Sequence, residues 1–157
     1  MERRHQYQST VTWTGNRGSG TLDYRAYDRN FLVRIEGKPD IEGSSDSVFN
    51  GDKSVHNPED MLLSAVASCH MLWYLHLCSE NEIIVLEYTD YAIGEMKEEK
   101  DGSGRFESIT LQPEIVINDE KNIVKAKALH AEANKMCFIA NSLNFPVKHE
   151  VKVSILV

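Results

Sequence analysis

The three cysteines of this chain are its candidate reactive residues. Cys69 and Cys78 lie in the apolar run SAVASCHMLWYLHLCSE at residues 64–80, and Cys137 lies far downstream. A cysteine thiolate is a nucleophile that attacks peroxides, disulfides and carbonyl carbons, whereas a thiol inside an apolar run is commonly only a packing residue. The sequence therefore raises the question of which thiol, if any, is reactive.

The spacing of Cys69 and Cys78 excludes a bond between them. They are nine positions apart on one predicted helix, which places them on opposite faces and roughly 13 Å apart along the axis. A disulfide requires Cα atoms within about 7 Å of each other. We therefore interpret Cys78 as a packing thiol. Cys137 could meet Cys69 only through the fold, and spacing alone leaves open whether it does so or is simply a buried thiol.

A reactive Cys69 needs a cation from another part of the chain. It lies three turns into the helix, and the helix dipole acts only within the first turn. Arginine is the side chain that stays charged when buried, and Arg17 stands out because glycines flank it in the turn TGNRGSG. A buried arginine in turn needs a carboxylate partner. The other candidates are Arg25, Arg29, Arg34 and Arg105.

Hydrophobic periodicity predicts an α+β fold in which runs of strands and helices are segregated. A helix is expected from Asn57, a good N-cap, to about Ser79, and it is apolar nearly all round. A curved antiparallel sheet wrapped around this helix would bury it on all sides. The other predicted elements are strands over 9–16, 21–27, 30–37, 83–99, 105–117 and 146–157, a hairpin turn at 15–20, a long polar loop over 37–57, an amphipathic helix over 119–137 and a short helix over 137–143.

Composition narrows the class of protein. The chain has 157 residues, which suits a single domain over 1–157, and its formal net charge of −7 argues against nucleic acid or an anionic membrane as a partner. We expect no secretory signal, because no apolar segment follows the N-terminal charges, and three irregularly spaced cysteines form no disulfide framework. These features predict a cytoplasmic protein.

The run 61–78 is long enough to suggest a membrane span, but its serines, histidines and flanking charges favour a core helix.

Four segments resemble the OsmC/Ohr family of small thiol peroxidases. NPEDMLLSAVASC, which opens the apolar helix, resembles the family's NPE motif followed ten residues later by its peroxidatic cysteine. TGNRGSG is similar to the turn in which the family keeps an arginine. HAEANKMC is similar to the late helix that leads into the family's second cysteine, and VKHEVKVSILV to its terminal strand. The resemblance runs from about residue 9 to the end.

The resemblance implies an OsmC-like fold, with curved antiparallel sheets around the central apolar helix, in an intertwined homodimer with sites at the subunit interface. It also implies that Cys69 is the peroxidatic thiolate and that Cys137 resolves it by forming a disulfide. Arg17 would stabilise the Cys69 thiolate and polarise the peroxide, and Glu59 would hold Arg17. Glu59 lies about 15 Å before Cys69 on the same helix, a separation that a site built from two chains accommodates.

The implied activity is the reduction of organic hydroperoxides. Cys69 would form a sulfenic acid, Cys137 would condense with it, and a dithiol reductant such as a lipoylated protein would restore both thiols. No metal, flavin or other cofactor is required. Three features depart from the family pattern. Phe138 stands where the family often has proline after the second cysteine, His70 stands where it usually has an apolar residue after the first, and the loop over 37–57 is longer than compact members predict.

The same residues leave two other functions open. An OsmC-like protein without peroxidase activity could bind an apolar ligand or sense redox state. A cysteine hydrolase would need a histidine aimed at Cys69, for which His130 and His149 are available. His70 points about 100° away from Cys69 on a helix, so we interpret it as a structural or surface histidine. A zinc site is disfavoured, because only Cys69 and His76 share a helix face.

Overall fold

The computed structural model describes residues 2–156, which form two compact units, residues 2–61 and residues 62–156. The organisation as a single domain stays a prediction. The first unit is built on a three-stranded antiparallel sheet, whose strands lie in the order β1-β2-β3. These strands are β1 (Thr10–Trp13), β2 (Phe31–Arg34) and β3 (Ile41–Gly43), and a short 3-10 helix follows at Ser47–Phe49. The loop predicted over 37–57 therefore contains a strand and a 3-10 turn.

The strand predicted over 21–27 is wrong. This segment forms turns, and a single isolated bridge joins Tyr27 to Asn16. The Asn16 side-chain oxygen accepts hydrogen bonds from the amides of Gly18 and Gly20, at 2.8 and 3.0 Å. Both glycines have positive φ, 109° and 58°, a region that glycine adopts without steric cost. Within the segment 21–27, the Arg25 amide donates to Asp23 Oδ1 at 2.7 Å and the Ala26 amide donates to the Asp23 carbonyl at 3.1 Å. These local bonds occupy backbone groups that a strand ladder would use, so the alternating pattern misleads here.

One long helix, α1 (Pro58–Glu80), carries the apolar run. Asn57 caps it as predicted, because its side-chain oxygen accepts the Asp60 amide at 2.7 Å, and the Asp60 carboxylate accepts the Asn57 amide at 3.4 Å. Leu72 is 63% exposed, so part of the surface of α1 is left uncovered within one chain. The fully buried residues of α1 form a single stripe at a spacing of four, which faces the core: Val66, His70, Tyr74 and Cys78.

The second unit contains six strands in two mixed sheets. The strands are β4 (Val85–Asp90), β5 (Ile93–Glu98), β6 (Gly104–Leu111), β7 (Pro113–Ile117), β8 (Val147–His149) and β9 (Lys152–Ile155). One sheet has the order β4-β7-β9 and the other the order β5-β6-β8. The first pair of each sheet is antiparallel, and the second pair is parallel. The antiparallel pairing expected from the sequence is therefore extended by two parallel pairs.

Each long strand predicted after α1 is divided between these two sheets. The division between β6 and β7 falls at Gln112, whose amide donates to Asp90 Oδ1 at 2.8 Å and whose carbonyl accepts the Tyr91 amide at 3.3 Å. The Glu150 amide donates to the Leu111 carbonyl at 2.8 Å, where β8 gives way to β9. These bonds join distant parts of the chain at one corner, so periodicity along the sequence does not predict the breaks.

The second helix is α2 (Ile123–Met136), which follows a 3-10 turn at Glu120–Asn122 and confirms the predicted amphipathic helix. Side chains of α2 pack with the C-terminal half of α1 and the sheet β4-β7-β9 in one core cluster. Val66 packs with the sheet β5-β6-β8 in a second cluster. The short helix predicted over 137–143 is a 3-10 turn at Ala140–Ser142. The predicted α+β class is confirmed.

Candidate active site

The structure brings Cys69 and Cys137 together. Cys69 lies on α1 with a half-buried side chain, and Cys137 is the fully buried residue at which α2 ends. Both are free thiols, and the Cys69 thiol is close enough to affect the titration of Cys137. The pair therefore consists of one half-buried cysteine and one fully buried cysteine.

Burial is the main reason why the pKa of the Cys137 thiol rises to about 11, and the neighbouring Cys69 thiol raises it further. The backbone amides of Ala140 and Ile139 oppose this rise in pKa, because they favour a charged sulfur. The Ala140 amide lies 3.4 Å from Cys137 Sγ. The Asn141 amide donates to the Cys137 carbonyl at 3.0 Å. Cys137 is therefore a protonated thiol held in a tight turn, an arrangement suited to resolving an oxidised partner rather than to attacking a peroxide.

Cys78 has the environment of a packing residue. It is 1% exposed and belongs to the core cluster that joins α1, α2 and the sheet β4-β7-β9. Burial raises the pKa of its thiol. An enclosed, protonated thiol is a poor nucleophile, which agrees with the helix-face argument from the sequence.

His70 faces the core and is 1% exposed. Its Nε2 lies 2.9 Å from Nδ1 of His130 on α2, and the two rings stack with centroids 5.2 Å apart. His149 lies 5.8 Å from His70 between ring centroids, and the Tyr74 ring stacks on His130 at 3.8 Å. Burial lowers the pKa of His70 to about 4, and proximity to His149 adds to this shift. Burial lowers the pKa of His130 to about 3, and proximity to His70 and then to His149 adds to it. At neutral pH the two rings are neutral and share one N–H···N hydrogen bond, so His70 is a structural histidine.

Arg17 and Glu59 lie in the first unit, where Arg17 is paired with Asp28 rather than with Glu59. Arg17 donates to the carbonyls of Ala26, at 3.2 Å, and of Arg25, and its Nε lies 3.8 Å from Asp28 Oδ1. Both partners of this ion pair are about half exposed, so it is weak. Glu59 is half-buried in the first turn of α1. The roles of Arg17 and Glu59 at a thiolate site stay predictions.

An aromatic pair lies beside the two cysteines. Trp73, one helical turn after Cys69 on α1, packs edge to face against Phe138, which follows Cys137 in the chain. The ring centroids are 5.6 Å apart and the ring planes meet at 87°, a favoured arrangement for aromatic pairs. Phe138 is 66% exposed. The contact with Trp73 therefore holds the Phe138 ring, which is otherwise exposed.

Sequence patterns do not predict the His70–His130 hydrogen bond or the Trp73–Phe138 contact. Both contacts join α1 to α2 or to the residues that follow α2, and spacing along the chain carries no signal for that placement. One hint exists in the sequence, because His130 falls on the apolar stripe of α2, where a polar side chain needs a partner. The other fully buried residues of that stripe are Ala126, Leu129 and Ala133.

Within residues 2–156 no group of three or more His, Cys, Asp or Glu side chains is arranged to hold a metal ion. The helix α1 is long and apolar enough to cross a membrane by length and composition alone. Its buried stripe packs against the two sheets and α2, as in the core of a globular domain.

The sequence matches the family model of OsmC-like proteins over residues 51–152, a segment that includes Cys69 and Cys137. The chain therefore belongs to the OsmC-like family, as the motifs around Cys69 and Cys137 predict. No curated protein matches the chain in sequence.

Solved structures share the whole fold. An OsmC-like protein of unknown function from Vibrio cholerae is 26% identical with a TM-score of 0.85, covering 94% of this chain and 99% of that one. An organic hydroperoxide resistance protein from Elizabethkingia anophelis is 19% identical with a TM-score of 0.73, covering 98% of this chain and 100% of that one. The organic hydroperoxide resistance protein OhrB of Bacillus subtilis is 19% identical with a TM-score of 0.63, covering 93% and 98%. These similarities confirm the predicted OsmC-like fold.

Proposed function

We propose that the protein is a two-cysteine thiol peroxidase that reduces organic hydroperoxides. The observation that carries the proposal is the adjacency of Cys69 and Cys137, one half-buried and the other enclosed. Two of the three structural neighbours described above are named as organic hydroperoxide resistance proteins, which supports this substrate class. The chemistry uses only thiols and requires no metal or flavin.

The reaction proceeds in three balanced steps. The Cys69 thiolate attacks the distal oxygen of the hydroperoxide, the O–O bond breaks, and the alkoxide takes a proton and leaves as an alcohol, so that Cys69 becomes a sulfenic acid. The Cys137 sulfur then attacks the Cys69 sulfur, and the Cys137 proton and the sulfenic hydroxyl leave as water. A dithiol reductant, such as a lipoylated protein, reduces the Cys69–Cys137 disulfide by exchange and is itself oxidised to a disulfide.

The peroxidatic site is proposed to be completed in a cytoplasmic homodimer. Among the described residues, much of α1 outside its buried stripe is only partly covered, and Leu72 is 63% exposed. A second copy of the chain would cover this apolar surface. In the proposed dimer Arg17 stabilises the Cys69 thiolate and polarises the peroxide, and Glu59 orients Arg17. The resemblance of the TGNRGSG and NPE segments to the family's motifs supports these two roles.

Mass spectrometry after one equivalent of cumene hydroperoxide tests the proposed reaction. We expect the intact chain to lose two hydrogens at once, and peptide mapping to locate a disulfide between Cys69 and Cys137, because the two thiols already lie together. An unchanged mass, or slow loss of a single thiol, would favour a binding or sensing protein with the same fold. A stable oxygen adduct on Cys69 with Cys137 still reduced would exclude the two-cysteine mechanism.

The proposed role of Arg17 predicts a kinetic effect. Arg17→Ala should slow the reaction of Cys69 with cumene hydroperoxide by roughly 10- to 100-fold, because a cation next to the thiolate and the developing alkoxide is lost. Arg17→Lys keeps the positive charge but loses the planar donor fork, so it should fall between wild type and Arg17→Ala. Stopped-flow measurement of the first oxidation checks both values. Equal rates in all three proteins would remove Arg17 from the site.

A further inference from the structure

We propose that Trp73 and Phe138 form an aromatic clasp that positions Cys137 against Cys69, and that this clasp decides whether the Cys69 sulfenic acid becomes a disulfide or is overoxidised. The inference rests on the proposed peroxidase function and concerns its second step. Overoxidation requires a second hydroperoxide molecule, which transfers one oxygen to the sulfenate, giving a sulfinate and an alcohol. Resolution by Cys137 competes with that reaction.

The clasp joins the two elements that carry the sulfurs. Trp73 is four positions after Cys69 on α1, so the two side chains lie on the same face of the helix. Phe138 is bonded directly to Cys137, and its ring meets Trp73 edge to face at 5.6 Å. The Trp73–Phe138 contact therefore lies one helical turn from Cys69 and one residue from Cys137. Such a contact restrains the distance between the two thiols.

Three hydrogen bonds shape the turn that follows Cys137. Asn141 donates from its side chain to the Lys135 carbonyl at 2.8 Å, and the Ser142 hydroxyl donates to the Phe138 carbonyl at 2.8 Å. The amide of Asn141 closes the turn on the Cys137 carbonyl. These bonds are local to the segment from Lys135 to Ser142, so the placement of the turn against α1 depends on side-chain packing.

The three residues that follow Cys137 supply packing contacts outside the turn. Ile139 and Ala140 pack against the core cluster that contains Val66, and Phe138 packs against Trp73 on α1. Burial inside this turn keeps Cys137 protonated at neutral pH, so its rate of attack cannot depend on a large thiolate population. The rate then depends on proximity and alignment, for which small displacements have large effects.

The exposure of Phe138 makes the clasp testable without loss of the fold. A phenylalanine that is 66% exposed contributes little to core burial, so Phe138→Ala should fold normally. Its effect should appear in the partition between products. We expect the hydroperoxide concentration at which half of Cys69 becomes sulfinic acid to fall about three- to tenfold, the range expected for loss of one aromatic pair. The rate of the first oxidation at Cys69 should stay within about twofold of wild type.

Matched variants separate the clasp from a general loss of apolar surface. Val124→Ala removes a side chain on α2 that is 81% exposed and should leave the partition unchanged. Phe138→Tyr keeps the ring and should behave as wild type. In a double-mutant cycle with Trp73→Leu, the second substitution should add little to the first, since each removes the same contact. The readout is mass spectrometry of Cys69 after a single turnover at increasing hydroperoxide.

The products formed by wild type and by Phe138→Ala distinguish failure of the clasp from failure of the proposed peroxidase function. If wild-type protein forms neither a disulfide nor a sulfenic acid with cumene hydroperoxide, the proposed peroxidase function fails. If wild type forms the Cys69–Cys137 disulfide but Phe138→Ala shows the same product partition, the clasp fails and the peroxidase function stands. The clasp also fails if Phe138→Tyr is as sensitive to overoxidation as Phe138→Ala.

Discussion

Cys69→Ser should abolish hydroperoxide reduction, with a loss of roughly a thousandfold or more in the rate of cumene hydroperoxide consumption. A serine hydroxyl is far less acidic than a thiol, and an alkoxide is therefore not populated at neutral pH. Cys137 cannot replace Cys69, because Cys137 is fully buried and its raised pKa of about 11 keeps it protonated. Peroxide consumption coupled to oxidation of dithiothreitol measures the loss.

The other two cysteines supply matched controls for this substitution. Cys78→Ser changes the same atoms at a buried position and should leave the rate of peroxide consumption within about twofold, after correction for any loss of folded protein. Cys137→Ser should leave the first oxidation intact but stop turnover with the dithiol. Residual turnover in Cys69→Ser, or complete loss in Cys78→Ser, would contradict the assignment of Cys69 as the peroxidatic residue.

The features that the sequence predicts best are those set by interactions between residues close together in the chain. Asn57 followed by Pro58 and two acidic residues predicts the start of α1, and the Asn57–Asp60 hydrogen bonds form as expected. The strands after α1 are predicted in the right places but too long. Their division depends on the corner at Gln112, whose amide donates to Asp90 at the end of β4 and whose carbonyl accepts the amide of Tyr91, the next residue. A periodic apolar pattern continues across such a corner, because residues on both sides of it are buried.

In the candidate site, too, some features follow from local sequence and others depend on how the helices pack. The helix-face argument excludes a Cys69–Cys78 bond from the sequence alone, and burial of Cys78 agrees with it. The meeting of Cys69 with Cys137 depends on how α1 packs against the end of α2, and only the resemblance to a family predicted it. Arg17 shows the opposite case, because the motif predicts a role at the thiolate, whereas its observed ion pair is with Asp28.

Acid should destabilise the protein in a pH range set by buried histidines. Burial holds the pKa of His70 at about 4 and that of His130 at about 3, and it also lowers the pKa of His149. The ordinary pKa in the unfolded chain is about 6.5. The unfolded chain therefore binds protons below pH 6.5 that the folded chain excludes. The histidine contribution to stability is complete above about pH 6.5 and is lost as the pH falls towards 4.

The expected loss between pH 7.5 and pH 5 is at most about 2 kcal/mol for each of His70 and His130, since pH 5 lies about 1.5 units below the unfolded pKa. Together they should lower the free energy of unfolding by about 2–4 kcal/mol and the melting temperature by roughly 10 °C. Urea unfolding followed by circular dichroism at both pH values measures the change. The window lies above the ordinary pKa values of Asp and Glu side chains, although burial raises the pKa of Asp90 towards it.

Removing both imidazoles tests whether the His70–His130 pair causes this acid sensitivity. In the double variant His70→Leu, His130→Leu both hydrogen-bonding partners are replaced together, which leaves no lone buried nitrogen from the pair and should cost little at pH 7.5. Its stability should change much less between pH 7.5 and pH 5 than that of wild type. His5→Gln, at an exposed position, should retain the full wild-type dependence. If the double variant loses as much stability in acid as wild type, the proton uptake occurs elsewhere, and His149 would be the next histidine to test.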